Sequence, residues 1–324
     1  MSNNKHVVMM GECMVELASL DANKKRLQSF AGDTFNTAVY FKRMCRTNHT
    51  VHYLSAIGTD SISQQFLEFT QSEKIATDLI FKDANKTLGL YMISTDSVGE
   101  RSFSYWRSDS AAKHVIQYWQ QNTDMIDGKK ISVFYFSGIS LAILSDEDRI
   151  TLWQKLDNLK NQGCTIVFDP NYRPRLWASL ALAKQQISKA LHYCDIALTS
   201  QEEQAILFDD CSVEQSIKRL LDFQVSEIVI KNAEHGITLY NNTNPSYSFS
   251  ADKQLTQATY KVNKVVDTTS AGDAFNGAYL AARLDNKLMH EAAQLAARVA
   301  ASVIQHPGAI IEKKLFEQTL HNTL

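Results

Sequence analysis

The chain has 324 residues, of which 44% are hydrophobic and 21% are charged, and its formal net charge is −2. That length allows one large α/β domain or two ordinary ones. Interspersed acids and bases argue against a nucleic acid or an anionic membrane as the main partner. No apolar run approaches the ~20 residues that cross a bilayer, and the N-terminus lacks a signal-peptide pattern, so we expect a cytoplasmic protein.

The five cysteines are scattered along the chain, and none belongs to a CxxC pair. An odd count without paired spacing is atypical of a disulfide framework or of a zinc site. We therefore expect the protein in a reducing compartment, where thiols stay free.

Short apolar runs bounded by turn residues alternate along the chain with segments of helical periodicity. The predicted strands are residues 6–10, 51–57, 131–136, 165–168, 195–198 and 227–230. The helical segments include residues 145–159, 213–221 and the alanine-rich 288–305. Strands that are apolar on both faces and alternate with helices indicate a mainly parallel sheet covered on both sides. The predicted fold class is therefore α/β, a three-layer Rossmann-like sandwich.

One region breaks this alternation. Residues 87–95 and 101–107 are strand-like runs separated by DSVGE, which is the pattern of a β-hairpin. With residues 13–20 it is predicted to form a small separate sheet that closes over a site and excludes water. An ordinary edge hairpin explains the pattern equally well. We expect one domain over residues 1–324, with a small β lid from about 12–32 and 86–108.

Residues 265–276, VVDTTSAGDAFN, lead from an extended segment into a helix. Residues 268–272 leave backbone N–H groups almost uncovered at the helix N-terminus, where unpaired donors and positive partial charge hold anions, so the backbone of residues 270–273 is the predicted anion hole. Asp273 would repel a phosphate but suits the base for an alcohol beside it, because an attacking hydroxyl must lose its proton. Asp267 is interpreted as organising the loop or a metal. The alternative is an ordinary acidic first turn with a Ser or Thr cap.

This segment resembles the C-terminal signature of the ribokinase-like (PfkB) carbohydrate kinases, DTxGAGD before an apolar helix, with Ser270 replacing a glycine. AGDTFN at residues 31–36 resembles the family's GGxxxN, and GTD at residues 58–60 matches its GxD. The three signatures occur in the expected order across nearly the whole chain. The resemblance implies a ribokinase-like fold and ATP-dependent phosphorylation of a sugar hydroxyl, with Asp273 as general base.

The segments YWRSDSAA at residues 105–112 and DPNYRPRLW at 169–177 resemble the 2-keto-3-deoxygluconate kinases of that family. A sugar acid carries a carboxylate that favours a guanidinium, whereas a neutral sugar needs hydroxyl partners. The implied reaction is phosphorylation of the terminal hydroxyl of 2-keto-3-deoxygluconate. The resemblance places these residues on the substrate: Gly32, Asp33, Asn36, Tyr91, Tyr105, Arg107, Arg173 and Asp273.

KNAEHG at residues 231–236 resembles the KxGxxG segment that borders the nucleotide in the family. SQEE at residues 200–203 resembles NxxE and makes Glu203 a metal candidate, although S-x-x-E is also a capping box. Neither a P-loop nor a GxGxxG fingerprint occurs. The implied cofactors are ATP and Mg²⁺, with a monovalent cation as an option. The implied nucleotide-binding residues are Asn171, Arg173, Lys231, Gly236, Ser270, Ala271 and Gly272.

Several alternatives stay open at this point. The acceptor could be another sugar or sugar acid, such as fructose or a keto-deoxygalactonate, or the chain could be a non-catalytic sugar-binding regulator. Tyr91 and Tyr105 could be packing aromatics, Arg107 could pair with Asp109, and Lys231 could be a solvated strand end. The expected partners are a sugar acid, ATP and a second copy of the chain, bound through the lid sheet.

Overall fold

The computed structural model describes residues 5–18, 26–47, 49–95, 101–242, 255–257, 260, 262 and 264–323. The strands are β1 His6–Met10, β2 Met14–Leu17, β3 Gln28–Ala31, β4 Thr50–Ile57, β5 Ile80–Lys82, β6 Gly89–Thr95, β7 Arg101–Trp106, β8 Ile131–Ser137, β9 Thr165–Asp169, β10 Ile196–Ser200, β11 Glu227–Lys231, β12 Ile237–Asn241 and β13 Leu255–Gln257. The helices are α1 Asp33–Met44, α2 Ser61–Ser72, α3 Val115–Gln121, α4 Thr123–Asp127, α5 Gly138–Ala142, α6 Asp146–Asn161, α7 Leu180–Tyr193, α8 Gln201–Phe208, α9 Val213–Asp222, α10 Ala271–Leu284, α11 Met289–Val303 and α12 Lys313–Thr323.

The main sheet has the strand order β13-β12-β11-β10-β9-β8-β1-β4-β5 within the described residues. All its pairings are parallel except those of β12, which is antiparallel to both of its neighbours. The six predicted strands correspond to β1, β4, β8, β9, β10 and β11, with small shifts at their ends. The predicted mainly parallel α/β sheet is therefore confirmed.

Both faces of the main sheet are buried, as the apolar strands predicted. Val7 and Met9 of β1 join the apolar layer beneath α1, α10 and α11. Val8 and Met10, the alternate residues, join the opposite layer with α6 and α7. No helix among the described residues has both the length and the apolar character of a membrane span.

A second, smaller sheet stands apart, with the order β3-β2-β6-β7. Strands β6 and β7 form the predicted antiparallel hairpin, and β2 supplies the neighbouring strand. The DSVGE residues of the hairpin loop, 96–100, and residues 19–20 of the predicted third strand lie outside the described residues. Closure of this small sheet over a site stays a prediction.

Helices α1 and α10 lie side by side over the main sheet and approach each other very closely. A Cβ atom at Gly277 of α10 would lie 2.5 Å from the carbonyl oxygen of Thr37 on α1. Glycine therefore lets the two backbones come into contact, which a larger residue would prevent. This contact brings the N-terminal turns of both helices, and their polar side chains, to one place.

Candidate active site

Asp273 lies in the first turn of α10, partly buried. Its Oδ2 accepts a 2.8 Å hydrogen bond from Nδ2 of Asn36, in the first turn of α1. Burial, reinforced by the negative charges of Asp33 and Asp169, raises the pKa of Asp273 to about 7, although Asn36 and Arg173 oppose the shift. A carboxylate with a pKa near neutrality is suited to accept a proton at physiological pH.

Three more carboxylates belong to this cluster: Asp33 and Asp169 act on Asp273, and Glu203 interacts with Asp169. Asp33 Oδ2 accepts a hydrogen bond of 2.8 Å from Nδ2 of Asn171. Asp169 Oδ2 accepts one of 2.7 Å from Asn276. Burial raises the pKa of Asp33, and the charge of Asp169 adds to the effect; the same two causes raise the pKa of Glu203. Such mutual repulsion favours the binding of a cation or a cationic complex at this place.

A positively charged side chain, Lys231, lies beside the N-terminal turn of α10. Lys231 Nζ donates a 3.1 Å hydrogen bond to Oδ1 of Asn276. The same nitrogen lies 3.8 Å from the point that a Cβ at Gly272 would occupy, and outside the adjoining segment no other atom of the described residues lies within 4 Å of that point. An open helix N-terminus beside a lysine is suited to bind an anion. This places predicted residues from two distant segments together.

The loop before α10 is held by Asp267, which is buried. Its Oδ1 accepts a 2.9 Å hydrogen bond from the amide of Thr269, and its Oδ2 accepts one of 2.9 Å from the amide of Gly308. Both carboxylate oxygens therefore fix backbone. Of the two roles predicted for Asp267, this geometry supports organisation of the loop.

Arg107 forms an ion pair with Glu12, whose exposed fraction is 2%. Asp109, the partner weighed from the sequence, pairs with Lys86 instead, so that alternative was wrong. Within the described residues, Arg107 Nε is buried and has no hydrogen-bond partner. An unpaired buried donor on a guanidinium is available for a ligand.

Tyr91 and Tyr105 are directly opposite each other on β6 and β7, with ring centroids 5.9 Å apart. Tyr91 is buried, and its hydroxyl donates to Glu16. Tyr105 is 49% exposed. The two aromatics therefore pack together, as one alternative held, while Tyr105 keeps a face open to a ligand.

Gly32 connects the small sheet to the acid cluster. A Cβ at this position would lie 2.0 Å from the carbonyl oxygen of Glu12, so only glycine permits the approach. The Gly32 amide donates to Asn36 Oδ1 at 3.3 Å, and Asn36 Nδ2 is the donor to Asp273. Arg107, which pairs with Glu12, is therefore connected to Asp273 through Gly32 and Asn36.

Three other predicted residues make contacts that indicate a structural role. Glu203 forms the capping box of α8 with Ser200 and also accepts a 3.0 Å hydrogen bond from the Tyr172 amide. Arg173 is exposed, and its Nη1 donates to the Tyr172 carbonyl at 3.2 Å. Gly236 has φ 97° in the turn between β11 and β12, a conformation that favours glycine. Their predicted ligand roles stay predictions.

The site therefore combines a near-neutral carboxylate, an open helix N-terminus, a lysine and a guanidinium. Residues 4–314 match the model of the pfkB family carbohydrate kinases. The chain belongs to the pfkB family of carbohydrate kinases.

Relatives of this pfkB kinase match it over nearly its whole length. It is 37% identical over 314 residues to a 2-dehydro-3-deoxygluconokinase of Haemophilus influenzae, covering 95% of this chain and 96% of that one. It is 38% identical over 314 residues to the Escherichia coli K12 protein of the same name, covering 96% and 98%. A putative ribokinase II of E. coli, solved in complex with ATP and Mg²⁺, superposes with a TM-score of 0.80 at 20% identity, covering 99% and 100%. That superposition confirms the ribokinase-like fold.

This pfkB kinase has another residue at three glycine positions of the family signatures, namely Ser270, Ala233 and Ala31. The backbone conformation differs between the first two positions and the third. Ser270 has φ 66° and Ala233 has φ 43°, both in the left-handed region that disfavours a Cβ. Ala31 lies in β3 and has no positive φ. At Ser270 and Ala233 the backbone conformation therefore favours the glycine of the family pattern, whereas at Ala31 it does not.

We expect Ser270→Gly and Ala233→Gly each to raise the free energy of unfolding by about 1 kcal/mol, because each removes the strain of a left-handed Cβ. Ala31→Gly is the matched control and should lower it by a similar amount, since β3 gains flexibility there. Urea denaturation followed by circular dichroism measures all three. The interpretation fails if the three variants shift the midpoint in the same direction.

The sequence-based prediction did not include four residues of the site: Asp169, Asn276, Glu12 and Glu16. Asp169 ends β9 and Asn276 follows Asp273 by one helical turn, so strand-end and i,i+3 positions were usable signals. Glu12 and Glu16 carried no such signal. Their importance comes from contacts with Arg107 and Tyr91, which lie far away in the sequence.

Proposed function

We propose that this protein transfers the γ-phosphoryl group of ATP to the terminal hydroxyl of 2-keto-3-deoxygluconate, giving the 6-phosphate. The observation that carries the proposal is the position of Asp273, a carboxylate of near-neutral pKa in the first turn of α10. The names of the bacterial relatives support the choice of substrate. Arg107, with an unused donor, supports an acidic sugar.

In the proposed step, Asp273 takes the proton of the terminal hydroxyl. The resulting oxygen attacks the γ-phosphorus, the bond from phosphorus to the bridging oxygen breaks, and ADP leaves. Asn36 holds Asp273 through one oxygen, which leaves the other for the substrate. The base therefore keeps a fixed orientation while it accepts the proton.

The transferred group carries developing negative charge, and the N-terminus of α10 is proposed to receive it. Gly272 and Asp273 would offer backbone N–H groups there, with Ser270 at the helix cap, whereas the Ala271 amide donates to the Thr268 carbonyl at 3.2 Å. Lys231 lies beside this turn through its contact with Asn276. Preorganised donors of this kind stabilise a transition state because they need no rearrangement as charge develops.

The carboxylate of the sugar acid is proposed to bind Arg107. Glu12 fixes this guanidinium from one side through Nη2, while Nε has no protein partner in the described region. Arg has five N–H donors, so it can hold Glu12 and a ligand carboxylate together. Tyr105, next to Tyr91, would cover the sugar, and Gly32 with Asp33 would contact its hydroxyl groups.

ATP with Mg²⁺ fits the charges of this site. The carboxylates of Asp33, Asp169 and Glu203 lie close enough for their charges to interact, and a divalent cation would relieve that repulsion. Mg²⁺ usually keeps several waters and neutralises charge between phosphates. Both Glu203 oxygens already accept hydrogen bonds, so we propose that Glu203 reaches the ion through water.

The pH dependence of the reaction should report Asp273. Because its pKa is raised to about 7, the base is protonated at lower pH, so kcat/KM should fall as the pH drops below about 7. Asp33→Asn removes a charge that raises this pKa, so the acid limb should move to lower pH. A pH–rate profile of both proteins gives the two midpoints. An unmoved midpoint, or one moved upward, would contradict the assignment.

We also propose that two chains pair through the small sheet. Strand β7 is an edge strand, and its Trp106 is 57% exposed. Natural sheets usually cover or interrupt such an apolar edge. We expect light scattering to give a dimer for the native chain and a monomer for Trp106→Glu. A native monomer would contradict the pairing.

A coupled phosphorylation assay tests the proposed reaction. Sugar acids and neutral ketoses, fructose and a keto-deoxygalactonate among them, are supplied with ATP and Mg²⁺, with and without K⁺. We expect 2-keto-3-deoxygluconate to have the highest kcat/KM. A higher value for fructose would assign the kinase to neutral sugars, and binding without turnover would indicate a regulator.

A further inference from the structure

A second group of reactive side chains lies at the opposite end of the α1–α10 pair. Cys45 follows α1, His49 precedes β4, and Asp285 follows α10. The Cys45 sulfur, one ring nitrogen of His49 and one carboxylate oxygen of Asp285 lie within 4.8 Å of one another. We propose that these three side chains bind a Zn²⁺ ion.

The carboxylate of Asp285 is held in place by the loop that carries the other two ligands. Its Oδ1 accepts hydrogen bonds from the Thr47 amide at 3.2 Å and from Thr47 Oγ1 at 2.7 Å, and its Oδ2 accepts one from the Arg46 amide at 3.0 Å. Each carboxylate oxygen has two lone pairs, so Oδ1 is fully used by these bonds, whereas Oδ2 keeps one lone pair for a metal. Carboxylates that bind a metal are usually oriented by hydrogen bonds of this kind.

His49 is the observation that points to a ligand. The residue is 4% exposed, and its buried Nε2 makes no hydrogen bond of good geometry among the described residues, while the Leu284 carbonyl, next to Asp285, lies near enough to interact with the ring. Buried ring nitrogens are almost always paired, because desolvation without a partner is unfavourable. A metal at Nε2 places the ring proton on Nδ1. The long 3.3 Å contact from the Lys5 amide to Nδ1 and the interaction of the ring with the Leu284 carbonyl would then have to be given up.

Cys45 is partly buried, and its thiol donates to the Thr47 carbonyl at 3.1 Å. On binding zinc the thiol loses its proton to the solvent and the thiolate becomes the ligand. Sulfur, nitrogen and oxygen donors match the preference of Zn²⁺, and three protein ligands leave a fourth position for water. The third ligand comes from the far end of the chain, which explains why cysteine spacing alone predicted no zinc site.

The proposed zinc site is remote from the proposed chemistry. Helix α1 has 12 residues and is therefore about 18 Å long, with Asn36 in its first turn. Zinc would join the C-terminal ends of the two helices whose N-terminal turns hold Asn36 and Asp273. We therefore expect zinc to raise thermal stability, with turnover in ATP and Mg²⁺ little changed.

The test uses the full chain, stripped with a chelator and titrated with Zn²⁺ or Co²⁺. We expect one equivalent per chain, a thiolate-to-Co²⁺ absorption band and a melting temperature that rises with zinc. Cys45→Ser should weaken binding about 100-fold and remove the band. Cys211→Ser is the matched control, because Cys211 is an exposed free thiol outside the cluster. It should change nothing.

Two further variants make the outcome decisive. His49→Gln should also weaken zinc binding, whereas Asp273→Asn should leave the stoichiometry unchanged because the catalytic acids are not involved. Absence of the thiolate band, retention of tight binding in Cys45→Ser, or its loss in Asp273→Asn would each overturn the proposal. None of these readouts depends on the sugar substrate, so failure of the proposed function would leave the zinc test intact.

Discussion

Asp273→Asn is expected to lower kcat by about 10²–10⁴, which is the usual contribution of a general base. Asparagine keeps the size of the side chain and a carbonyl oxygen that can accept from Asn36, but it cannot take the proton of the substrate. The dissociation constant of the sugar acid, measured by calorimetry, should change only a few-fold. Steady-state kinetics at saturating substrate measure the loss.

Asp210→Asn is the matched control for this variant. Asp210 is a buried aspartate paired with Arg219 beside α8 and α9, so its replacement tests the loss of a buried charge elsewhere in the fold. Its kcat should stay near that of the native chain. If Asp273→Asn retains native kcat, or if both variants lose activity equally, Asp273 is not the base.

Arg107→Ala is expected to raise KM for 2-keto-3-deoxygluconate about 10- to 100-fold. A charge-assisted hydrogen bond contributes roughly 1.5–3 kcal/mol, and each 1.4 kcal/mol corresponds to a factor of ten. The KM for a neutral ketose should hardly change, because it has no carboxylate for the guanidinium. Kinetics with both substrates on one enzyme preparation measure the difference.

Loss of Arg107 also leaves Glu12 buried without its partner, which should destabilise the protein. Arg43→Ala controls for this effect, since Arg43 and Glu73 form another buried ion pair. The ratio of kcat/KM between the two substrates does not depend on the fraction of folded enzyme. That ratio should fall in Arg107→Ala and stay constant in Arg43→Ala; an equal effect on both substrates would reject the sugar acid.

Much of the fold was predictable because its signals are local. Apolar runs gave six strands of the main sheet, and the capping pattern at Ser200 and Glu203 formed as predicted. The segment before Asp273 also leads into the N-terminus of a helix, as predicted. These features depend on neighbouring residues, so a single sequence carries them.

The pairing of charges was not predictable, because it depends on tertiary contacts. Arg107 is two residues from Asp109, yet it pairs with Glu12, 95 positions away. Glu12 precedes β2 and Arg107 follows β7, two strands of one small sheet, so the fold brings their side chains together. Similarly, Asn36 and Asp273 are 237 positions apart and meet because α1 and α10 touch at Gly277.

The most direct test of carboxylate recognition by Arg107 compares 2-keto-3-deoxygluconate with 3-deoxyfructose, in which a CH₂OH group replaces the carboxylate. The phosphorylated hydroxyl is the same in both, so the comparison isolates the acid group. We predict that the native enzyme favours the acid by at least about tenfold in kcat/KM, from one charge-assisted contact. Equal values for the two compounds, or a preference for the neutral sugar, would contradict recognition of the carboxylate by Arg107.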